Sequence, residues 1–406
     1  MCEFLLDDTG SPLACRNSGK EHRHGCVTIL RRPGPNSAYL NMSGHPGATV
    51  DFAVAPFLVI WETTQACDLA CTHCRASAQP ERSTGELTTA EGEALLAKTA
   101  AMGTPVFILS GGDPLKRPDI FRLIEEGKRL GLRMGTIPAA TPALTADVVR
   151  KLADAGLDQM ALSLDFPRAD LHDGFRGVPG AFACTMAAVG WAHRHALPLQ
   201  INSTVCGRSL PYLAEMAELV ERLEIVFWEV LFLVPVGRGA TLGGLSPEQC
   251  EAAFDILHRV QRRVRFIIKV TEAPHYRRHV AECDAERGGG AMPRLLQRAE
   301  GPGGTIGLAP RGVNAGKGFA FVSHLGDVYP SGFLPLRAGN VREGPLAEIY
   351  GSSPLFRSLR DPDRLRGRCG RCEYRRICGG SRSRAFALTG NHLATDPWCG
   401  YQPRAA

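Results

Sequence analysis

The chain has 406 residues, 44% hydrophobic and 22% charged, with a formal net charge of +6. That composition describes a globular protein of about two or three domains and excludes a disordered or collagen-like chain. No apolar run reaches the roughly 20 residues of a membrane-spanning helix, and no basic stretch precedes an apolar one at the N-terminus, so a cytoplasmic location is expected.

Residues 1–50 are rich in Gly, Pro, Asn and Ser and lack periodicity, which predicts an irregular arm. The arm carries Cys15, His22, His24 and Cys26, whose irregular spacing matches a zinc site poorly. From residue 57, apolar runs alternate with amphipathic stretches. Strands are predicted over 57–61, 105–109, 133–137, 159–164, 199–205 and 226–233. Helices are predicted over 89–102, 119–130, 146–155, 182–195, 212–223 and 247–261, three of them stopped by Gly103, Gly131 and Gly156. Such alternation implies parallel strands with right-handed crossovers, which a doubly wound sheet and a barrel satisfy equally.

Beyond residue 262 the rhythm changes. A further strand over 265–271 leads to a glycine-rich loop over 288–318. A hairpin of 319–323 and 327–329 turns at Leu325 and Gly326, and a short helix near 346–350 precedes a cysteine-rich tail. This tail is basic: ten arginines lie between Arg357 and Arg384, against Asp361, Asp363 and Glu373. A solvated basic face and a surface attracting an anionic substrate or electron donor both fit that excess.

Fourteen cysteines in such a chain read as metal ligands before disulfides. Cys67, Cys71 and Cys74 follow the first strand in a C-x3-C-x2-C run. Three thiolates this close can hold three irons of a [4Fe–4S] cube, leaving the fourth iron open for chemistry. A structural zinc site normally needs a second pair nearby, and none lies within the next hundred residues. Cys369, Cys372, Cys378 and Cys399 form a second set, in which four thiolates suit either a complete [4Fe–4S] cluster or a closed zinc site. Cys184, Cys206 and Cys250 sit in apolar or helical contexts and read as core residues.

The first cysteine run resembles the signature of radical S-adenosylmethionine (SAM) enzymes. The resemblance implies an α/β fold, a partial (β/α)6 barrel over 51–262. A connector over 263–315 and a small C-terminal domain of twitch or SPASM type over 316–406, holding an auxiliary cluster, would follow. It also implies SAM as cofactor and two [4Fe–4S] clusters. In such enzymes the cluster cleaves SAM to a 5′-deoxyadenosyl radical.

By the same resemblance, Gly111, Gly112 and Asp113 match the Gly-Gly-Glu-type motif that binds the SAM amino group, with Asp in place of the commoner Glu. Ser163 and Asp165 end the fourth strand, where the family's Ser touches SAM and a downstream Arg, here Arg176, pairs with its carboxylate. Asn202 and Pro235 end the fifth and sixth strands, which the family uses around ribose and adenine. Glu272, His275, Tyr276 and Arg277, just past the barrel, are substrate-side candidates for acid–base work or carboxylate binding. Ser331 stands where full SPASM domains place a further Cys, so a single auxiliary cluster is expected.

The tail is similar to that of the radical SAM enzymes of heme and heme d1 biosynthesis, over a likeness running from about 57 to 401. That implies an anionic iron tetrapyrrole as substrate and flavodoxin or ferredoxin as electron donor. A maturase of ribosomally made peptides is the alternative, although residues 1–50 look too irregular for a peptide-binding domain. A non-catalytic Fe–S electron carrier would need neither the open iron nor the SAM motifs. RNA as substrate ranks low, because the basic tail lacks interleaved aromatics apart from Tyr374 and Phe386.

Overall fold

The computed structural model describes residues 50–286, 309 and 312–404. The arm and its Cys15, His22, His24 and Cys26, together with most of the glycine-rich stretch 288–318, lie outside the described residues.

Seven strands run parallel in sequence order: β1 (Leu58–Glu62), β2 (Val106–Ser110), β3 (Arg133–Thr136), β4 (Gln159–Ser163), β5 (Leu199–Val205), β6 (Phe227–Phe232) and β7 (Ile267–Thr271). Between them lie α1 (Thr89–Ala101), α2 (Ile120–Arg129), α3 (Ala146–Asp154), α4 (Ala169–Arg176), α5 (Ala181–Arg194), α6 (Leu213–Arg222) and α7 (Pro247–Arg263). All six expected strands and six expected helices are present, and α4 is an additional short helix. α1 and α7 start where the sequence supplies reciprocal caps, Thr88 with Glu91 and Ser246 with Gln249.

Four strands extend the sheet beyond the expected six. β7, placed by its rhythm in the connector, pairs parallel with β6, Phe227 opposite Ile267. β8 (Phe319–Val322), the first strand of the expected hairpin, pairs parallel with β1, Leu58 opposite Phe319, and antiparallel with β9 (Asp327–Tyr329). With β10 (Gly339–Asn340) beyond β9, the order is β10-β9-β8-β1-β2-β3-β4-β5-β6-β7. The sheet stays open among the described residues, with β7 and β10 as its edge strands, the topology of a partial barrel, and β8 covers what would be an unpaired edge of β1.

The core fills the space between sheet and helices, with Trp61, Phe107, Trp228 and Phe254 fully buried. After β7 come α8 (Tyr276–Glu286) and, in the C-terminal part, α9 (Leu346–Ser352), α10 (Pro354–Arg360), α11 (Gly367–Arg371) and α12 (Arg382–Thr389). α12 buries Arg382 and Arg384 instead of an apolar stripe, which is why periodicity did not reveal it.

Candidate active site

Cys67, Cys71 and Cys74 line one cavity of about 220 Å³ at the C-terminal ends of the strands, where parallel barrels place their chemistry. Backbone amides already point at two of these sulfurs, Leu69 N–H at Cys67 and Ala78 N–H at Cys74, each at 3.4 Å. Arg176 approaches Cys71 Sγ at 3.7 Å. Burial pushes the Cys67 thiol up to about 12, so binding a cation must drive its proton off. Three thiols on one wall with amide donors behind them fit a [4Fe–4S] cluster with an open iron.

The cysteine loop is held from three sides. Gly112 N–H donates to Thr64 O and Asp113 N–H to Ala66 O, joining the end of β2 to the loop. A Cβ on Gly112 would lie 2.3 Å from Ala66 O, so only glycine permits this approach. After β6, Arg238 donates to Cys71 O and Ala78 O at 2.9 and 3.1 Å. From α4, the carbonyls of Phe175 and Arg176 accept from Thr72 N–H and Ala70 N–H. Arg238 carried no motif that the sequence could have flagged.

Gly111, Gly112, Ser163, Arg176 and Asn202 line the same cavity as the three cysteines. Asp113, Asp165 and Pro235 do not line it. Asp113 is buried behind the glycines, where Oδ1 accepts from Leu115 N–H and Ala139 N–H; burial raises its carboxyl to about 6. Asp165 is buried and accepts from Arg176 and from Thr204 N–H. Arg176 is therefore committed to a carboxylate of the protein and to Cys71. At the end of β6 the lining comes from Phe232, Leu233 and Val234. His73, between the cysteines, stacks on Phe175 at 4.2 Å, and burial lowers its imidazole to about 3, so it is neutral there.

A second cavity, about 250 Å³, occupies the barrel interior and meets the first across Arg75, Ser110, Ile137, Asn202, Leu231 and Phe333. Its wall combines apolar strand residues such as Leu58, Ile108, Phe227 and Phe321 with Gln159, Gln200, Glu229 and Lys269, the apolar surface being the larger share. Arg75 is paired with Glu62 at 2.6 Å and Lys269 with Glu229 at 2.9 Å. Arg277 donates only to the carbonyls of Val313 and Ile377, at 2.6 and 3.0 Å. It is thus the one lining cation without a carboxylate partner among the described residues. Arg75, next to Cys74, went unnoticed in the sequence because only the cysteines carry the motif.

Of the substrate-side candidates, Glu272 and Arg277 reach this cavity. Glu272 has φ 58 and accepts hydrogen bonds from the hydroxyls of Ser331, Ser381 and Ser383. Ser331 therefore serves as a hydroxyl donor to Glu272. His275 and Tyr276 correct the expectation: both are buried against Phe254, with ring centroids 4.8 and 5.4 Å away, so core packing turns them from the cavity.

Cys369, Cys372, Cys378 and Cys399 surround a small cavity of about 20 Å³. Gly380 N–H donates to Cys378 at 3.3 Å and Asp396 N–H to Cys369 at 3.5 Å. Burial raises Cys378 to about 12 and Cys399 to about 11. The surrounding arginines are largely structural. Arg384 is fully buried on Asp396 and stacks on Trp398, Arg382 holds the carbonyls of His392 and Ala394, and Arg375 and Arg376 pair with Asp363. The tail's basic excess does not face the barrel cavity, contrary to its reading as a substrate-holding surface. No helix among the described residues is long and apolar enough to cross a membrane.

Residues 61–220 match the radical SAM superfamily. The AdoMet-dependent heme synthase of Methanosarcina barkeri is 40% identical over 356 residues, covering 86% of this chain and 97% of its own length. The AdoMet-dependent heme synthase of Oleidesulfovibrio alaskensis is 37% identical over 390 residues, covering 96% and 97%. Among solved structures, Streptococcus suis SuiB bound to S-adenosylmethionine superposes with a TM-score of 0.63 at 17% identity, covering 86% of this chain and 78% of that one, a likeness of fold. The chain uses SAM and an iron–sulfur cluster, and it is an enzyme that belongs to the radical SAM superfamily.

Proposed function

We propose that this enzyme modifies carboxylate-bearing side chains of an iron tetrapyrrole in heme-type biosynthesis. In this reading it carries two [4Fe–4S] clusters, one on Cys67, Cys71 and Cys74 and one on Cys369, Cys372, Cys378 and Cys399. When bound and reduced, the first cluster cleaves SAM and supplies a 5′-deoxyadenosyl radical. Residues 51–262 then form the barrel and 316–406 the auxiliary-cluster domain, tied to the barrel through β8.

The observation that carries this reading is the largely apolar barrel cavity opening onto the cysteine cavity, with Arg277 as its lining cation without a carboxylate partner among the described residues. An apolar wall suits a macrocycle edge, and a guanidinium binds a propionate or acetate carboxylate. In this reading Gly111, Gly112, Ser163 and Asn202, which line the cysteine cavity, receive SAM, and Arg176 supports the cysteine loop beside it. Glu272, fixed by three hydroxyls, is an acidic group at the same cavity, along with the Glu229 paired with Lys269. The heme synthase relatives support the substrate class.

Anaerobically reconstituted enzyme, SAM and reduced flavodoxin should be incubated with iron-coproporphyrin and with a siroheme derivative. The expected result is 5′-deoxyadenosine together with a tetrapyrrole lighter by carboxyl-derived fragments. SAM cleavage with neither binding nor mass change across these substrates would overturn the tetrapyrrole and favour a peptide.

A further inference from the structure

On the face of α7 that meets α8, Glu251, Asp255 and His258 recur at i, i+4 and i+7; on α8, His279 and Cys283 are four residues apart. Both spacings keep the side chains on one helical face. A His258 ring nitrogen, a His279 ring nitrogen and Cys283 Sγ lie within 4.8 Å of one another, both histidines being buried.

The contacts of His279 define the spot. Its Nδ1 lies 3.3 Å from Glu251 Oε2, and a carboxylate only accepts, so Nδ1 carries the hydrogen. Its Nε2 lies 3.4 Å from Asp255 Oδ1 and 3.6 Å from Cys283 Sγ. In the neutral imidazole Nε2 is then a lone pair facing a carboxylate oxygen, an arrangement that needs a positive charge between them. A proton on Nε2 would be donated to one neighbour only, whereas a metal ion would take a lone pair from Nε2, Asp255 and Cys283 together.

The distances favour the ion. Zinc bonds of about 2.0 Å to nitrogen or oxygen and 2.3 Å to sulfur, at the tetrahedral angle, set donor separations of about 3.4 Å and 3.6 Å. Two edges, both from His279, already have these lengths; His258 lies within 4.8 Å of His279 and Cys283, and Asp255 stands outside that group of three on the His279 side. Glu251, itself held by Arg278, occupies the place of the outer carboxylate that orients a metal-bound histidine.

We propose that His258, His279, Cys283 and Asp255 form a closed site for one zinc-class divalent ion, separate from both cysteine sets. Four protein donors leave no open position, so the ion is structural. It ties α8 to α7, and the first turn of α8 carries Arg277 into the barrel cavity. The ion thereby helps hold Arg277 in place.

The test uses cluster-loaded holoenzyme, dialysed anaerobically against micromolar zinc and then freed of loose metal. Zinc and iron are counted together, and the zinc edge is read by X-ray absorption. The expected result is about one zinc per chain, with one sulfur near 2.3 Å and three nitrogen or oxygen ligands near 2.0 Å. Cys283→Ser and His258→Ala should lose that zinc while keeping their iron and SAM cleavage, which shows that they are folded. Glu251→Gln should weaken zinc binding by about 10- to 100-fold. Absence of zinc from the wild type would overturn the site. Zinc that survives Cys283→Ser in a sulfur-rich shell would equally overturn it, by placing the ion in a cluster site.

Discussion

The guanidinium of Arg176, at the end of α4, joins the buried carboxylate of Asp165 to Cys71, whose Sγ lies 3.7 Å from Nη1. Removing one partner of a buried ion pair strands the other charge, at a typical cost of about 3–5 kcal/mol. Arg176→Ala should therefore lower stability by that order, read as the midpoint of anaerobic urea unfolding. The double variant Asp165→Asn, Arg176→Gln should recover much of the loss. A single variant as stable as wild type would show that the pair does not brace the cysteine loop.

Gly112 predicts a local failure of the same loop. With Ala66 O 2.3 Å from its would-be Cβ, Gly112→Ala must push the loop away from β2. The variant should load the auxiliary cluster normally, yet show weakened SAM binding and little SAM cleavage. Wild-type SAM cleavage in Gly112→Ala would contradict the close approach.

Cluster content separates the two cysteine sets. About eight irons per chain are expected for two [4Fe–4S] clusters. Replacing Cys67, Cys71 and Cys74 together with Ala should leave about four irons and abolish SAM cleavage. Eight irons retained after that change would remove the assignment. Zinc in the second set of anaerobically purified enzyme would remove the auxiliary cluster.

His275 gives a pH dependence. Burial lowers its pKa from 6.5 to about 4, so the folded state resists a proton that the unfolded chain accepts. Stability from this group is full above pH 6.5 and is lost as pH falls toward 4. The loss amounts to about 1–2 kcal/mol between pH 7 and 5. His275→Leu, of similar volume beside Phe254, should flatten this part of the profile in anaerobic thermal unfolding at pH 7, 6 and 5. An unchanged slope in the variant would assign the dependence to another group.

Arg277 tests the substrate pole. Arg277→Gln keeps a donor for the Val313 carbonyl but removes the charge. A hydrogen bond to a charged group is worth about 1.5–3 kcal/mol, so iron-coproporphyrin affinity should fall roughly ten- to hundredfold, read in the visible spectrum. Iron content and substrate-free SAM cleavage should not change. Rising salt should weaken the wild type more than the variant.

The sequence by itself determined the elements whose signals are local. Cysteine spacing along one loop marks a cluster site because the ligands are neighbours in the chain. The apolar alternation from residue 57 marks six β–α units because burial of one face repeats with each element's own period. Only the tertiary structure decided what depends on partners far apart in sequence. β8 closes the edge of β1 from more than 250 residues away. Arg382 and Arg384 look like surface charge but are buried, because Asp396 and backbone carbonyls compensate them. Glu272 meets Ser331, Ser381 and Ser383 across 59 to 111 residues, while His275 and Tyr276, only one turn further along the chain, face the core. No periodicity records such pairings: a buried polar group needs only that its partner arrive, wherever in the chain that partner lies.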